Sequence, residues 1–402
     1  MNRSRWLTIL KKIGSQKVAT VMMVLLLMLT YLGTLEQGEH GLYRVQQKYF
    51  ESWGLIHHFS AAWWFVPSEA FSFSIPLPGG MTCMIIFTIN LLVGGILLLK
   101  LQKRNFGIFI VHVGIALMMC AGLVKLKASD EGYLQLWESQ EASEYISHHE
   151  WEVAVFETGN DSVDEHLVLF DRMAGKSELS IEPTAGLPFQ LKFSGALANC
   201  RALPVGPNWT ADSPAIDGWG LLEQQERAEN EQNLPGLTID MIPTDLADGS
   251  RQQALLWGGQ NYPWTFTVAD KTFAVALRKV RHSMPFSIRL DNFEKVDHPG
   301  ISMAKEYRSD VTQRTAASQR KVRIEMNDPL RDQGLILFQS SWGPSNAAPD
   351  AELYSVFTVV RNPSDQWPLY SCIVIGIGMA ITFIQKFLAY SKKQAKQHKE
   401  IS

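Results

Sequence analysis

The sequence predicts an integral membrane protein in which four transmembrane helices carry one large, mainly β domain, an antiparallel sandwich or partly open barrel. Three observations lead there. Apolar residues gather in four long blocks, residues 18–34, 81–99, 106–124 and 368–390. Basic residues cluster at three places that flank those blocks. Between the third and fourth blocks, short runs rich in β-branched and aromatic residues recur with the two-residue alternation of strands.

Each apolar block approaches the ~20 residues that cross a hydrocarbon core of about 30 Å at 1.5 Å per residue. The first, a little short, follows a basic segment and reads as an uncleaved signal anchor or a removed signal peptide, the anchor being favoured since no small-x-small cleavage site follows it. Arg3, Arg5, Lys11, Lys12 and Lys17 precede it. Lys100, Lys103 and Arg104 fill the turn at 100–105, and Lys386, Lys392, Lys393, Lys396 and Lys399 end the chain. The positive-inside rule puts all three clusters in the cytoplasm, and four spans with both termini inside satisfy it. The expected divisions are a cytoplasmic N-terminus at 1–17, an exported loop at 35–80, an exported β-rich domain at 125–367 and a basic cytoplasmic tail at 391–402. The localisation this implies is the cytoplasmic (inner) membrane, with the large domain on the far side.

Without those 13 basic residues and Glu400, 24 basic residues face 39 acidic ones, a formal balance of about −15 that argues against a nucleic-acid partner. Of four cysteines, Cys83, Cys120 and Cys372 fall in predicted helices, and only Cys200 lies in the exported domain. An intradomain disulfide is therefore not expected there, and no Cys-x-x-Cys or Cys-x-x-Cys-His occurs. Phosphate-binding loops, dinucleotide fingerprints, nucleophile elbows and His-Glu-x-x-His helices are also lacking.

Residues 35–80 read as an exported loop of mixed character whose aromatic run, including Trp63 and Trp64, suits the membrane interface. In the β domain, YLQLWES, WEVAVFE, HLVLF, FQLKFSG, WTFTVAD, FAVALRKV, FSIRLDNFEKV, KVRIEMN, LILFQSSW and YSVFTVVRN read as strands around one core or two small ones. Residues 201–259 read as a polar insertion, within which LLEQQERAENEQN suits one exposed helix.

The informative ionisable residue is His112. Six residues after Phe106, it lies about 9 Å along the third helix. An ionisable side chain at that depth is costly unless satisfied. Two readings stand: a neutral imidazole that ligates haem iron, or a ring that bonds a carbonyl or hydroxyl on a neighbouring helix. No other predicted span contains a histidine, so a bis-histidine haem site needs a partner subunit or else His57 or His58. Those two read as solvated and divergent, as do His148 and His149. His40, His166, His282 and His298 give no metal-ligand spacing. Gly107 with Gly114, Gly94 with Gly95, and Gly376 with Gly378 read as smooth patches for packing among the four helices.

Several segments together resemble the ResB (CcsB) family of System II cytochrome c biogenesis. They are LGTLEQ running into GLYRVQQKYFESWGL; IVHVGIALMMCAG with its histidine; and PFSIRLDNFEKVDHPGISMAKEYRSDV, KVRIEMNDPLRDQGLILFQSSWGP and SVFTVVRNPSDQWPLYSCIVIGIGMAITF in that order. The likeness covers residues 18–58, 81–125 and 284–385; residues 160–275 are not placed by it. Glu36-Gln37 stands where the family usually has Pro-Gln. The resemblance implies a subunit that pairs with a tryptophan-rich CcsA (ResC) membrane protein, moves haem b outward and presents it to apocytochrome c for thioether attachment. His112 matches the family's membrane histidine and would be an axial ligand to haem shared with the partner. Trp63-Trp64 does not reproduce the tryptophan-rich motif, so the covalent chemistry is expected on the partner, with this chain non-catalytic or co-catalytic. The rival expectation is a membrane-anchored scaffold for another exported protein that never touches haem.

Overall fold

The computed structural model describes residues 3–60, 72–159, 165–173, 178–181, 187–207, 209, 213–245, 250–300, 304–344 and 352–401. Trp63 and Trp64 lie outside them. The chain divides into two compact units, Met1–Ser129 with Asn362–Ser402, and Asp130–Arg361.

The first unit is mainly helical. Helix α1 (Arg3–Ile13) breaks at Gly14, and Ser15 caps α2 (Gln16–His40) by accepting the Val18 N–H at 3.4 Å. The first apolar block is thus part of a longer helix, which ends where Gly41 takes φ 75 and its N–H returns to the Gln37 carbonyl. The described residues of the stretch read as an exported loop form regular elements. They hold a short helix α3 (Leu42–Val45), a π-helical turn Gln46–Phe50 and a hairpin of β1 (Gly54–Ser60) with β2 (Ser72–Pro78). Helix α4 (Gly80–Asn90) widens into π-helix over Leu91–Leu97. Helices α5 (Phe106–Ala128) and α6 (Trp367–Ile401) complete the unit. Among the described residues four helices are long and apolar enough to cross a membrane.

Small residues let these helices approach, as lipid-embedded packing requires. A Cβ on Gly107 would meet Thr382 Oγ1 at 2.4 Å and one on Gly114 would meet Ile375 Cγ1 at 2.6 Å, so the seven-residue spacing seats α5 on α6. Gly94 touches Gly14 backbone to backbone, whereas Gly376 meets nothing. Asn90, buried, donates to the Ile13 and Ser15 carbonyls at 2.5 and 3.0 Å; the first is a group the α1–α2 break leaves open, while the second also accepts from the Ala19 N–H.

The second unit is mostly antiparallel β. Its strands are β3 (Asp130–Trp137), β4 (Glu141–Glu157), β5 (His166–Leu169), β6 (Glu178–Ile181), β7 (Phe189–Leu197), β8 (Cys200–Pro204), β9 (Trp219–Glu223), β10 (Gly236–Pro243), β11 (Gln252–Trp257), β12 (Trp264–Val268), β13 (Lys271–Asp297), β14 (Ala304–Arg314), β15 (Gln319–Glu325), β16 (Leu330–Asp332), β17 (Leu335–Gly343) and β18 (Tyr354–Arg361). The main sheet runs β15-β14-β13-β4-β3-β18-β17-β16, with β12 on β13 and β5 on β4; a second sheet runs β11-β10-β7-β6, and β8 pairs β9.

Two hydrophobic cores result. In one, Leu237, Ile239 and Met241 of β10 and Phe189, Leu191 and Phe193 of β7 pack on Val153, Val155, Phe273 and Val275 of β4 and β13. In the other, Leu134, Ile288, Leu290, Val311, Ile324, Leu337 and Phe357 converge from strands at both ends of the main sheet, so that sheet curls around its own core. The two runs FAVALRKV and FSIRLDNFEKV are one strand, β13, which serves both cores. It shifts register against β4 where Val280 alone opposes Ser147, His148, His149 and Glu150.

The expected polar insertion is corrected here. Residues 201–259 contain β9, β10 and β11, and β10 is core: its alternation buries Leu237, Ile239 and Met241 completely, each contributing about 1.5–3 kcal/mol. The window's acidic and turn residues had masked that short alternation. The expected helix over LLEQQERAENEQN is absent as well; Leu221 and Leu222 belong to β9, paired with β8, and only Asn230–Gln232 turns helically. Pairing with Cys200–Pro204 gives Leu221 a buried face that an isolated helix would not supply. Where the inner strands carry charge, it is matched: Arg278 of β13 bridges Glu152 at 3.0 Å and Glu165 at 3.0 Å.

Candidate functional site

His112 sits two turns into α5, and its ring lies against α4's π-helical extension. A Cβ added to Gly95 would stand 2.9 Å from the His112 Cγ, so only glycine leaves room for this imidazole. The Gly95 carbonyl is the backbone group that faces the ring. Nδ1 is enclosed and makes no hydrogen bond among the described residues. The ring therefore has the backbone neighbour of the plainer reading, together with an unsatisfied nitrogen that this neighbour does not supply. π-Helical segments inside α-helices are frequent at functional sites, and here the widened turn carries the notch.

Seven residues on, hence on the same helical face, Met119 Sδ stands 3.9 Å from Thr88 Oγ1. This places it beside a cavity of about 480 Å³ lined by Met81, Met84, Thr88, Met118, Met119 and Cys120, among others. The cavity is apolar and rich in thioethers, and His112 is not one of its lining residues. Its size falls within the range of ligand pockets, about 300–1,000 Å³.

Sequence reasoning missed a second constellation in the same unit. Glu36, buried near the end of α2, accepts from Lys48 and from the Tyr49 hydroxyl, and that hydroxyl also contacts His57 Nδ1. His57 Nδ1 is 3.7 Å and His40 Nε2 is 3.6 Å from the same carboxylate. The π turn presents Lys48 and Tyr49 together, and β1 turns His57 inward, edge-on to Phe59 at 4.3 Å. Burial, reinforced by Glu36, pushes the Tyr49 phenol above its ordinary value, so it stays a donor. The expectation that His57 is solvated is corrected: it is 1% exposed. His58, its neighbour on the strand, points the other way to Ser74 Oγ at 2.7 Å, which fits the expected divergence. The missed signal was the alternation Leu55, His57, Phe59, which puts His57 on the apolar face of a strand.

Burial lowers the His57 pKa below its ordinary value, with Glu36 opposing and Lys48 and His58 assisting. The unfolded segment then binds the proton more readily than the folded one, so stability rises with pH and is lost as pH falls below about 6.5. Hydrogen exchange of the Gly54–Ser60 amides, corrected for intrinsic rates, is expected to quicken between about pH 7.5 and 5.5 in the wild type. It should stay flat in His57→Gln; equal profiles would discard the account.

His148 and His149 correct the expected solvation and divergence: both are partly buried and their rings lie 6.0 Å apart. His148 packs on Tyr133 at 5.3 Å, His149 lies 3.8 Å from Glu231, and His282 stacks on Tyr145 at 5.0 Å. Among the described residues no three His, Cys, Asp or Glu side chains form a metal-holding group, and all four cysteines are free thiols.

The sequence profile of the ResB-like family matches residues 100–351. The chain belongs to the ResB-like family. The match takes in the His112 helix and nearly all of the β unit. It runs through residues 160–275, which the resemblance of individual segments did not place. No curated protein matches the chain significantly. Membership ties this ResB-like protein to cytochrome c biogenesis, and its four apolar helices are compatible with the membrane association of that family.

Proposed function

We propose that this ResB-like protein is a subunit of a System II cytochrome c synthase complex, which helps to export haem and presents it with apocytochrome c for covalent attachment. The observation that carries the proposal is His112: an imidazole within an apolar helix, seated in a notch that only glycine allows, with an enclosed Nδ1 and the Gly95 backbone as its polar neighbour. Were haem b bound there, His112 would be the residue to hold its iron, which neutral imidazole ligates. Gly95 would orient the His112 ring, and the methionine-lined cavity one further step along the same helical face would offer apolar walls to the group. Because Nδ1 is enclosed, loading requires the residues packed on that edge to give way.

One histidine at membrane depth leaves the second ligand to a tryptophan-rich CcsA (ResC) partner, on which the attachment chemistry is placed. With both termini cytoplasmic, the β unit lies on the far side of the inner membrane, where apocytochrome c is met. This ResB-like chain is accordingly non-catalytic or co-catalytic. Deleting its gene and staining membranes for covalently bound haem tests the reading. Loss of most c-type cytochromes with unchanged apoprotein supports it; unchanged cytochromes favour the scaffold.

A further inference from the structure

In the β unit, the turn that leads into β9 builds one wall of a cleft. Ile216 and Trp219 exchange backbone hydrogen bonds at 2.9 Å, and Asp217 and Gly218 between them take φ 52 and 79, the left-handed pair of a tight two-residue hairpin. Asp217 and Trp219 thus stand at the rim of a cavity of about 380 Å³ whose other walls include Trp257, Trp264 and Gln260. The inner rings are fixed. Trp257 Nε1 donates to the Cys200 carbonyl at 3.0 Å, and Trp264 packs on Phe266 at 4.7 Å. Trp219 is 49% exposed. A polar extension of about 590 Å³ shares Ile216 and Asp217 and adds Arg251 and Gln253.

Electrostatics select the occupant. Arg251 is ion-paired with Asp240 at 2.8 Å, whereas the exposed Asp217 makes no ion pair with any described residue. Residues 130–270 hold 24 acidic side chains against six basic, while residues 271–361 hold 10 against 14. The cleft belongs to the strongly acidic half. Indole faces attract cations, and the aliphatic stem of a lysine or arginine lies well on apolar walls while its head reaches a carboxylate. We propose that this cleft binds a lysine or arginine side chain presented by an extended basic segment of another polypeptide. The head sits among the indoles against Asp217, and the backbone follows the polar extension past Gln253. This assignment is independent of haem ligation at His112.

The test uses the full chain in nanodiscs of uncharged lipid and a fluorescein-labelled Lys-Ser repeat peptide of about twelve residues, followed by anisotropy. Saturable binding is expected, weakened about ten-fold by Trp219→Ala and by Asp217→Asn. It should change less than about two-fold in Asp171→Asn, which removes an exposed acid of the same half outside the cleft. Trp219 is half exposed and asparagine tolerates the left-handed turn, so both variants should fold. No binding, or equal losses in the two Asp variants with none in Trp219→Ala, overturns the proposal, since diffuse charge then explains everything. Binding of a neutral hexasaccharide that Trp219→Ala abolishes, with none of the peptide, overturns it in favour of a sugar site.

Discussion

The proposed haem ligation predicts that replacing His112 with alanine strips haem from the protein co-purified with the proposed tryptophan-rich partner. In the proposed function, coordination to iron would offset the cost of an imidazole in an apolar helix; without the ring, the iron would lose its ligand on this chain. The decisive companion is Gly95→Ala, which leaves His112 in place but sets a methyl group 2.9 Å from its ring. Changes that disturb only the orientation of a metal-ligating histidine typically cost about 10–100-fold in affinity. Gly95→Ala should fall in that range and His112→Ala beyond it. The readouts are haem per protein and the Soret band, with exogenous imidazole restoring the band in His112→Ala but not in Gly95→Ala. Wild-type haem content and spectrum in His112→Ala, without added imidazole, would end the ligand assignment. The same result in Gly95→Ala alone would confine the loss to the orientation argument.

The helical part of this ResB-like protein was legible because hydrocarbon imposes a length and a composition that few other environments demand. The four apolar blocks reappear as α2, α4 with its π extension, α5 and α6, and the glycine spacing in α5 correctly foretold a packing face. Strand readings held where β-branched and aromatic residues are dense, as in WEVAVFE and YSVFTVVR. They failed where alternation was short and bracketed by turn residues, as in GLTIDMIP, or where the strand is polar, as in Ala304–Arg314, whose neighbours β13 and β15 satisfy its backbone from both sides. His112 was singled out because a lone polar ring in an apolar helix stands out. The Glu36, Lys48, Tyr49 and His57 constellation was not, because its members come from a helix end, a π turn and a hairpin strand. Only the folded chain brings them to one carboxylate. Nor could residue spacing have shown that Trp219, Trp257 and Trp264 line one cleft, since three different strands contribute them.

Glu36→Ala is expected to loosen the junction between α2, the π turn and the β1–β2 hairpin. Glu36 accepts from Lys48 and Tyr49, and Tyr49 is wholly buried, so removal of the carboxylate strands a phenol and a cation whose hydrogen bonds water cannot easily replace. Removing one member of a buried charged set costs about 3–5 kcal/mol. Lys48, about a third exposed, pulls the expectation toward the lower figure. Glu36→Gln keeps an acceptor for Tyr49 and should lose roughly half as much. Cys83 reports the change, because it is 1% exposed and packs in one cluster with Leu29, Leu32, Val45 and Tyr49. If local opening controls its reaction with a membrane-permeant maleimide, a loss of about 3 kcal/mol raises the open population more than about a hundred-fold. Peptide-resolved mass spectrometry can then follow Cys83 separately from the exposed Cys120 and Cys372. The order of Cys83 labelling rates should be Glu36→Ala, then Glu36→Gln, then wild type, with Cys120 unchanged in all three. Identical Cys83 rates would mean that apolar packing alone holds this junction and that the carboxylate contributes nothing to it.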